Sequence, residues 1–269
     1  MANRWLHTNK IKTVQKLLVA DSTQAADYSA NNLQTDNYAQ TWRSADAASA
    51  HNIVNNFGSA TQCDTCFLGN VNLTSAATVT IQANATDTWG APSFTQNFTV
   101  SGLGNTPAHR NLYLELSSAQ TFQFFRLLIT NTTNPNGYYE VGEWWLGMRV
   151  TLGTGTDFET NHKQNFIRNN ILQKTEWGQK YAYLRADYRI FSLEWAGIKV
   201  ATRDNLRQLE NATKGNQLPF VFVPDGTVTP SEAFFVRFAS DLEINQITPI
   251  AYNASVTFEE EAAGVTLPA

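Results

Sequence analysis

The chain has 269 residues, a formal net charge of -4 and only 16% charged side chains. This length is enough for one large or two ordinary domains. No block of lysines and arginines occurs, and phosphate binding needs such clustering. No apolar run reaches the roughly 20 residues that a membrane helix requires. We therefore predict neither a nucleic-acid partner nor membrane insertion.

The N-terminal sequence MANRWLHTNK contains no apolar signal core, so we do not expect an ordinary secreted precursor. Two cysteines are too few for a disulfide scaffold. Both observations predict synthesis in a reducing cytoplasm.

Residues 13–20 fit either a first strand or a short helix. Short β-favouring stretches then alternate with turn residues through the first half of the chain. The clearest stretches are residues 53–58, 78–83, 94–100, 112–116 and 124–129. Roughly seven or eight short strands separated by turns are typical of an antiparallel sandwich.

Residues 124–147 predict a strand, a turn and a returning strand. The run at 124–129 is apolar and β-branched except for Arg126, and Asn134-Pro135-Asn136-Gly137 supplies turn residues. The returning stretch is aromatic, with Gly142 where a bulge or a close backbone approach is expected. Such a hairpin must pack against another sheet.

A domain boundary is predicted at Leu152-Gly153-Thr154-Gly155-Thr156-Asp157, because two glycines among small polar residues interrupt the strand pattern there. The predicted domains are residues 1–151 and 152–269. In the second domain, residues 180–195 change the parity of their apolar positions, which predicts a bulge near Ile190 and Phe191. Residues 202–214 predict a helix that Thr202 caps and Gly215 ends.

Strand patterns follow at residues 219–223, 234–238 and 254–258. The predicted fold is therefore mainly β. It combines an N-terminal jelly-roll β-sandwich with a C-terminal split β-barrel or sandwich that carries one α-helix.

Two groups of residues also resemble a known family. The first half is similar to the galactose-binding-like jelly roll of tailed-bacteriophage tail proteins. This resemblance rests on Thr41-Trp42-Arg43-Ser44, the LGNVNLT segment at 68–74, Phe125-Arg126-Leu127, and the stretch from Asn134-Pro135-Asn136-Gly137-Tyr138 to Glu143-Trp144-Trp145-Leu146-Gly147. The second half resembles the split barrel of distal tail and tail-tip proteins. This second resemblance rests on Tyr188-Arg189, Leu193-Glu194-Trp195, the helix at 202–214, Pro219-Phe220-Val221-Phe222 with Asp225, and residues 256–261.

The resemblance implies a virion structural protein of a phage tail tip or baseplate, made in the host cytoplasm. Such proteins form rings, commonly hexamers, and contact other tail proteins. The implied partners are therefore sister copies and neighbouring tail components, with no cofactor and no enzymatic activity. The alternative is a glycan-binding module for attachment to the host surface, since jelly rolls of this family often derive from carbohydrate-binding modules.

Aromatic residues supply the candidate binding sites. Trp89, Tyr138 and Tyr139 are candidates for stacking on sugar rings, with core packing or contacts within a ring as the alternative. Trp144 and Trp145 are adjacent, so one is expected to face outward and serve as an interface anchor.

Metal and catalytic candidates are weaker. Cys63 and Cys66, with His51 upstream, form half of a zinc or iron–sulfur pattern, and the alternatives are plain thiols, a local disulfide or redox work. Asp157, Glu159 and the 134–137 turn supply oxygen atoms for calcium, with ordinary loops as the alternative. The acidic pair Glu140 and Glu143 and the run at 259–261 lack any recognisable catalytic motif, so we predict no catalytic residues.

Overall fold

The structure is a computed structural model. It describes residues 4–13, 19–35, 37, 39–100, 111–151, 159–167, 171–174, 176–177, 180–183, 188–224 and 233–261. The predicted calcium candidate Asp157 lies outside these residues. No helix among the described residues is both long and apolar enough to cross a membrane.

Antiparallel strands dominate the described residues, which confirms the predicted mainly β fold. The strands of the first half are β1 (Arg4–Leu6), β2 (Val19–Ala20), β3 (Trp42–Arg43), β4 (His51–Gly69), β5 (Thr78–Asn84), β6 (Phe94–Thr99), β7 (Leu112–Thr130), β8 (Glu140–Val141), β9 (Glu143–Gly147) and β10 (Val150–Thr151). Those of the second half are β11 (Glu159–Ile167), β12 (Ile171–Lys174), β13 (Lys180–Tyr183), β14 (Tyr188–Ile198), β15 (Phe220–Val223), β16 (Phe234–Phe238), β17 (Glu243–Thr248) and β18 (Ala251–Glu260). The helices are α1 (Lys10–Thr13) and α2 (Val200–Thr213), and 3-10 turns cover Ala26–Tyr28 and Ala30–Gln34.

The chain folds into two compact units. The first unit takes the described residues from Arg4 to Val150 together with those between Val221 and Phe234. The second unit takes those between Thr151 and Phe220 and from Phe235 to Glu261.

The central sheet of the first unit has the strand order β2-β4-β7-β5-β6, and β9 also pairs with β4. The two long strands β4 and β7 pair from His51 opposite Ile129 to Leu68 opposite Leu112, with two register shifts on the way. One half of this ribbon lies beside β5 and the other beside β9. Bulges let long strands bend and change neighbours, so the single ribbon of β4 and β7 contributes to both parts of the sandwich.

The core of the first unit follows the strand alternation. Val79, Ile81 and Ala83 on β5 are fully buried, as are Leu127 and Ile129 on β7. The intervening residues point to the other face of the sheet, where Arg126 lies opposite Gln82. The period-two pattern read from the sequence is therefore the pattern of burial.

A two-stranded sheet, β3 with β8, brings distant parts of the first unit together. Trp42 pairs with Val141, and Arg43 pairs with Glu140. Trp42 and Val141 are fully buried, whereas Arg43 and Glu140 are only partly covered. This short sheet positions the candidate site described below.

The second unit is built on β14 and β18, in the order β16-β18-β14-β11, and β17 also pairs with β18. The rings of Phe220, Phe238 and Phe258 pack together, with centroid separations of 5.0–5.6 Å. Helix α2 buries Leu206 and Leu209 on its apolar face.

Two local predictions for the second unit need correction. The register of β14 against β18 is unbroken from Ile190 to Trp195, and the shift lies between Trp195 and Ile198, beside Gly197 with φ +69°. Helix α2 begins at Val200, so Thr202 lies in its first turn and is not the cap. It ends as expected next to Gly215, although Lys214 also adopts a positive φ of 53°.

Candidate functional site

Two tyrosine rings contact the guanidinium of Arg43 in the first unit. The Cζ atom of Arg43 lies 4.1 Å from the ring centroid of Tyr28 and 5.0 Å from that of Tyr138. A guanidinium in this position is attracted by the ring quadrupole and leaves mainly its N–H edge for other partners. With Glu140, these residues form what we call the Arg43 cluster.

Glu140 completes the Arg43 cluster through one of its two carboxylate oxygens. Arg43 donates from Nε at 3.1 Å and from Nη2 at 3.0 Å to Oε1 of Glu140, and the Thr41 hydroxyl donates to the same oxygen at 2.8 Å. Among the described residues, no hydrogen bond is made by Nη1 of Arg43 or to Oε2 of Glu140, and the two side chains are 23% and 18% exposed. The cluster thus keeps unused N–H groups and one unused carboxylate oxygen beside two aromatic rings.

The segment that carries Tyr28 is tied to β3 by one side-chain and one backbone hydrogen bond. The indole nitrogen of buried Trp42 donates to the Ser22 carbonyl at 3.0 Å, and Gln24 donates its N–H to the Arg43 carbonyl at 2.9 Å. The following 3-10 turn, Ala26–Tyr28, ends with the ring over Arg43. The position of Tyr28 is therefore fixed by the strand that carries Arg43.

Tyr138 and Glu140 are fixed by the turn at 134–137 and by Asn72. Gly137 adopts a φ of +71°, as the sequence predicts, and donates to the Asn134 carbonyl at 3.1 Å. The Asn72 side chain donates to the Tyr138 carbonyl at 2.8 Å and accepts the Glu140 N–H at 2.8 Å. One amide thus holds the backbone on both sides of Tyr139.

The three aromatic candidates for sugar stacking lie in different environments. Tyr138 belongs to the Arg43 cluster. Tyr139 is fully buried, and its hydroxyl donates to the Ser49 carbonyl at 2.8 Å and accepts the Asn131 N–H at 2.9 Å. Its ring therefore has no exposed face for a ligand.

Trp89 is half-buried and lies over a different arginine. The Cζ atom of Arg126 is 4.6 Å from its ring centroid, and its indole nitrogen donates to Asp87 at 2.7 Å. Arg126 in turn donates from Nε to Gln82 at 2.7 Å, and burial lowers the pKa of its guanidinium. Among the residues described, no contact joins Trp89 to the Arg43 cluster, so these two candidates form separate surfaces.

Neither tryptophan of the predicted interface pair faces outward. Trp144 and Trp145 are both buried, because β9 pairs with β4 in the sandwich. The Trp145 indole donates to the buried carboxylate of Glu143 at 3.1 Å, and the Lys12 ammonium lies 5.3 Å from its ring centroid. The expectation of one outward anchor assumed an exposed sheet face, and this strand has none.

The two cysteines are buried free thiols on β4, not loop residues. Burial raises the pKa of Cys63 to about 12 and also raises that of Cys66. His51 instead lies between two aspartates, with Nε2 3.1 Å from Asp46 and Nδ1 3.5 Å from Asp21. Within the described ranges, no group of three histidine, cysteine or acidic residues is arranged to hold a metal.

The acidic candidates have structural partners. Glu140 pairs with Arg43, and Glu143 is fully buried against Lys12 at 3.1 Å. In the second unit Glu260 is buried near Arg189, and burial raises the pKa of its carboxyl group. The predicted calcium candidate Glu159 lies on β11.

A half-open groove of about 160 Å³ lies in the second unit, between β14, β18 and the start of β17. Glu194, Asp241 and Glu243 line it together with Ser192, Ser255 and Thr257. Its acids are not balanced by any basic lining residue, which makes it a poor candidate for binding anionic ligands.

Sequence reasoning named Tyr138 and quoted Arg43 and Glu140, but it did not group them, and it missed Tyr28. One signal was available: Tyr138 and Glu140 share a parity after the turn, so they face the same side. The contact with Tyr28 comes from a long connection that no short-range pattern describes.

No protein-family model and no curated protein matches the sequence. Solved structures are similar to about half of it. A chitosan-binding module of a chitosanase/glucanase from Paenibacillus sp. IK-5 is 20% identical, with 52% of this chain and 98% of that chain covered and a TM-score of 0.41. The lectin domain of lectinolysin, solved with Lewis B antigen, is 12% identical, with coverages of 53% and 99% and a TM-score of 0.39.

A Clostridium perfringens protein solved with GalNAc-β-1,3-galactose is 8% identical, with coverages of 52% and 99% and a TM-score of 0.40. These TM-scores and identities are low, so the function of this chain has to be argued from its own side chains.

Proposed function

We propose that the first unit binds glycans through the Arg43 cluster. The observation that carries the proposal is the pair of tyrosine rings beside an ion pair with an unused donor and an unused acceptor. Aromatic faces accept the apolar C–H faces of sugars, and a few convergent polar groups fix a ligand's orientation.

The test removes each ring in the full chain. Tyr28→Ala and Tyr138→Ala should each weaken glycan binding up to about tenfold, since an aromatic contact contributes up to about 1.5 kcal/mol. A glycan array identifies the ligand, and titration calorimetry measures the dissociation constants. Circular dichroism checks that each variant is folded.

Trp177→Ala is the matched control, because this side chain is 93% exposed and belongs to the second unit. It should bind as the unaltered protein does. The proposal is wrong if no glycan binds the protein, or if both tyrosine variants retain full affinity.

A structural role in a phage tail tip or baseplate is the second candidate, with the virion as its location. The sequence resemblance supports it, together with the exposed apolar side chains of the second unit: Phe166, Trp177, Ile247 and Ile250. The two roles are compatible, since a tail component that binds host glycans would combine them. Assembly is tested by the mass of the purified protein, and glycan binding by its affinity for sugars.

A further inference from the structure

We infer that the ligand of the Arg43 cluster is an uncharged sugar unit, recognised through two neighbouring hydroxyl groups. This inference rests on the proposed glycan-binding function and specifies its substrate class. It follows from which polar atoms of the cluster are used within the protein and which are left.

The hydrogen bonds within the cluster all end on one oxygen atom of Glu140. Oε1 of Glu140 already accepts from Thr41 and twice from Arg43, so it is saturated. The remaining groups of the ion pair are the N–H groups of Nη1 and the second N–H of Nη2 of Arg43, which only donate, and Oε2 of Glu140, which only accepts. A hydroxyl group can both donate and accept, so two hydroxyls on neighbouring carbons match a donor and an acceptor of one ion pair. One hydroxyl accepts from Nη1 while the other donates to Oε2.

The charges of the cluster disfavour ionised sugars. The side chains of Arg43 and Glu140 are only 23% and 18% exposed, and they neutralise each other. A sugar carboxylate that accepts from Arg43 would lie close to the carboxylate of Glu140, and a sugar ammonium that donates to Glu140 would lie close to the guanidinium of Arg43. Either ligand would leave an unbalanced charge in a partly buried site, which is costly. A neutral sugar adds no charge.

The experiment uses three matched immobilised probes in both the gluco and the galacto series: the hexose, its 6-carboxylate (the hexuronic acid) and its 2-amino form (the hexosamine). Deoxy analogues lacking one hydroxyl are added for whichever hexose binds. We expect the neutral hexose to bind the full-length protein at least about tenfold tighter than either charged form, a difference of about 1.4 kcal/mol. Removal of one of two neighbouring hydroxyls should weaken binding by a similar factor, while removal of a remote hydroxyl should not.

Two variants should each reduce one part of the discrimination. Glu140→Gln removes the negative charge but keeps an acceptor, so the penalty against the hexuronic acid should shrink. Arg43→Gln removes the positive charge but keeps a donor, so the penalty against the hexosamine should shrink.

Arg203→Gln is the matched control, because Arg203 also lies over a tyrosine, Tyr252 at 4.7 Å, and pairs with an acid, Asp204 at 2.7 Å. It belongs to the second unit and should leave the discrimination unchanged.

Each outcome decides one of the two claims. Binding of a charged probe as tight as, or tighter than, that of the neutral probe overturns the inference and leaves glycan binding standing. Absence of binding to every probe and to a wider glycan array overturns the proposed function. If Glu140→Gln or Arg43→Gln does not fold, the deoxy series on the unaltered protein still decides whether two neighbouring hydroxyls are recognised.

Discussion

At the scale of the residue, a single buried polar side chain affects the folding stability of the first unit. Asn55 lies on β4 between Ile53 and Phe57 and is fully buried. Neither its amide nitrogen nor its amide oxygen has a hydrogen-bond partner within the part of the chain that the structure describes. A buried polar group without a partner costs free energy of folding, whereas an apolar group of similar size does not.

Asn55→Leu should therefore raise the free energy of unfolding by about 1–3 kcal/mol. The free energy of unfolding is measured by urea titration monitored with circular dichroism. The matched control is Asn84→Leu, because the Asn84 side chain donates to Thr88 and accepts from Ala85 and Ser93. This control should lower the free energy of unfolding. A loss of stability in both variants would contradict the conclusion that the Asn55 side chain lacks a hydrogen-bond partner.

Burial of the thiols makes a prediction about pH and reactivity. Because burial raises the pKa of Cys63 to about 12, its thiol is protonated at pH 8 in the folded protein. A thiol-specific reagent such as Ellman's should then report no fast-reacting group at pH 8, and two thiols after unfolding in urea. The contribution of the buried neutral thiol to stability is complete below its ordinary pKa of 9.0 and is lost as the pH rises through the folded value. Rapid labelling of the folded protein would show that β4 is not packed as described.

At the scale of the element, the turn at 134–137 and the short sheet of β3 and β8 form one supported structure. Asn72 joins them, since its side chain bonds the backbone of both Tyr138 and Glu140. Asn134 in turn donates to the Asn72 carbonyl at 3.2 Å. Two residues of the Arg43 cluster, Tyr138 and Glu140, are therefore held in place by asparagine amides.

Asn72→Ala should weaken glycan binding more than it lowers stability. The variant loses three side-chain hydrogen bonds, each contributing about 1 kcal/mol to folding, and it frees the backbone that positions the ring of Tyr138 and the carboxylate of Glu140. Calorimetric affinity and the urea midpoint are measured on the same sample. Loss of stability with unchanged affinity would mean that Asn72 supports the fold and does not position the site.

The strands were the predictable part of the fold, for a physical reason. Alternation at Val79, Ile81 and Ala83 reflects burial on one sheet face, and it identified β5 correctly. The length of β4 was not predictable. Polar Asn55 and Asn56 followed by Gly58 look like the end of a strand, yet β4 continues through a bulge with Gly58 at φ 75°.

The site itself was only partly predictable. Tyr138 was a candidate because aromatics after a turn are often exposed, but its partners Tyr28 and Arg43 lie far away in sequence. Their meeting depends on the hydrogen bonds of Ser22 and Gln24, which no local pattern shows. The tryptophan pair was misjudged because both faces of β9 are covered.

At the scale of the whole molecule, exposed apolar side chains concentrate in the second unit. Ile247 at the end of β17 and Ile250 in the turn before β18 are 56% and 74% exposed. Among the described strands β17 pairs only with β18, so its other edge carries unpaired backbone groups. Open edges and exposed apolar residues promote association.

We therefore expect the purified protein to associate, with a mass that is a multiple of 29.9 kDa at high concentration. Light scattering coupled to size-exclusion chromatography measures the mass. The double variant Ile247→Glu and Ile250→Glu should shift the population toward monomer, and Val19→Glu, an exposed residue of the first unit, should not. A single mass of one chain at every concentration would remove the support for self-assembly through β17.

The interleaved course of the chain governs how the protein can be dissected. Val221, Phe222 and Val223 pair with Leu6, Trp5 and Arg4, so residues late in the sequence supply a neighbour to its first strand. A gene fragment stopping at residue 150 would strip that neighbour and uncover the side chains of Trp5 and Leu6. Glycan specificity measured on such a fragment would describe an incomplete first unit and not the one in the full chain. A faithful excision has to retain both stretches, for example by co-expression or by circular permutation.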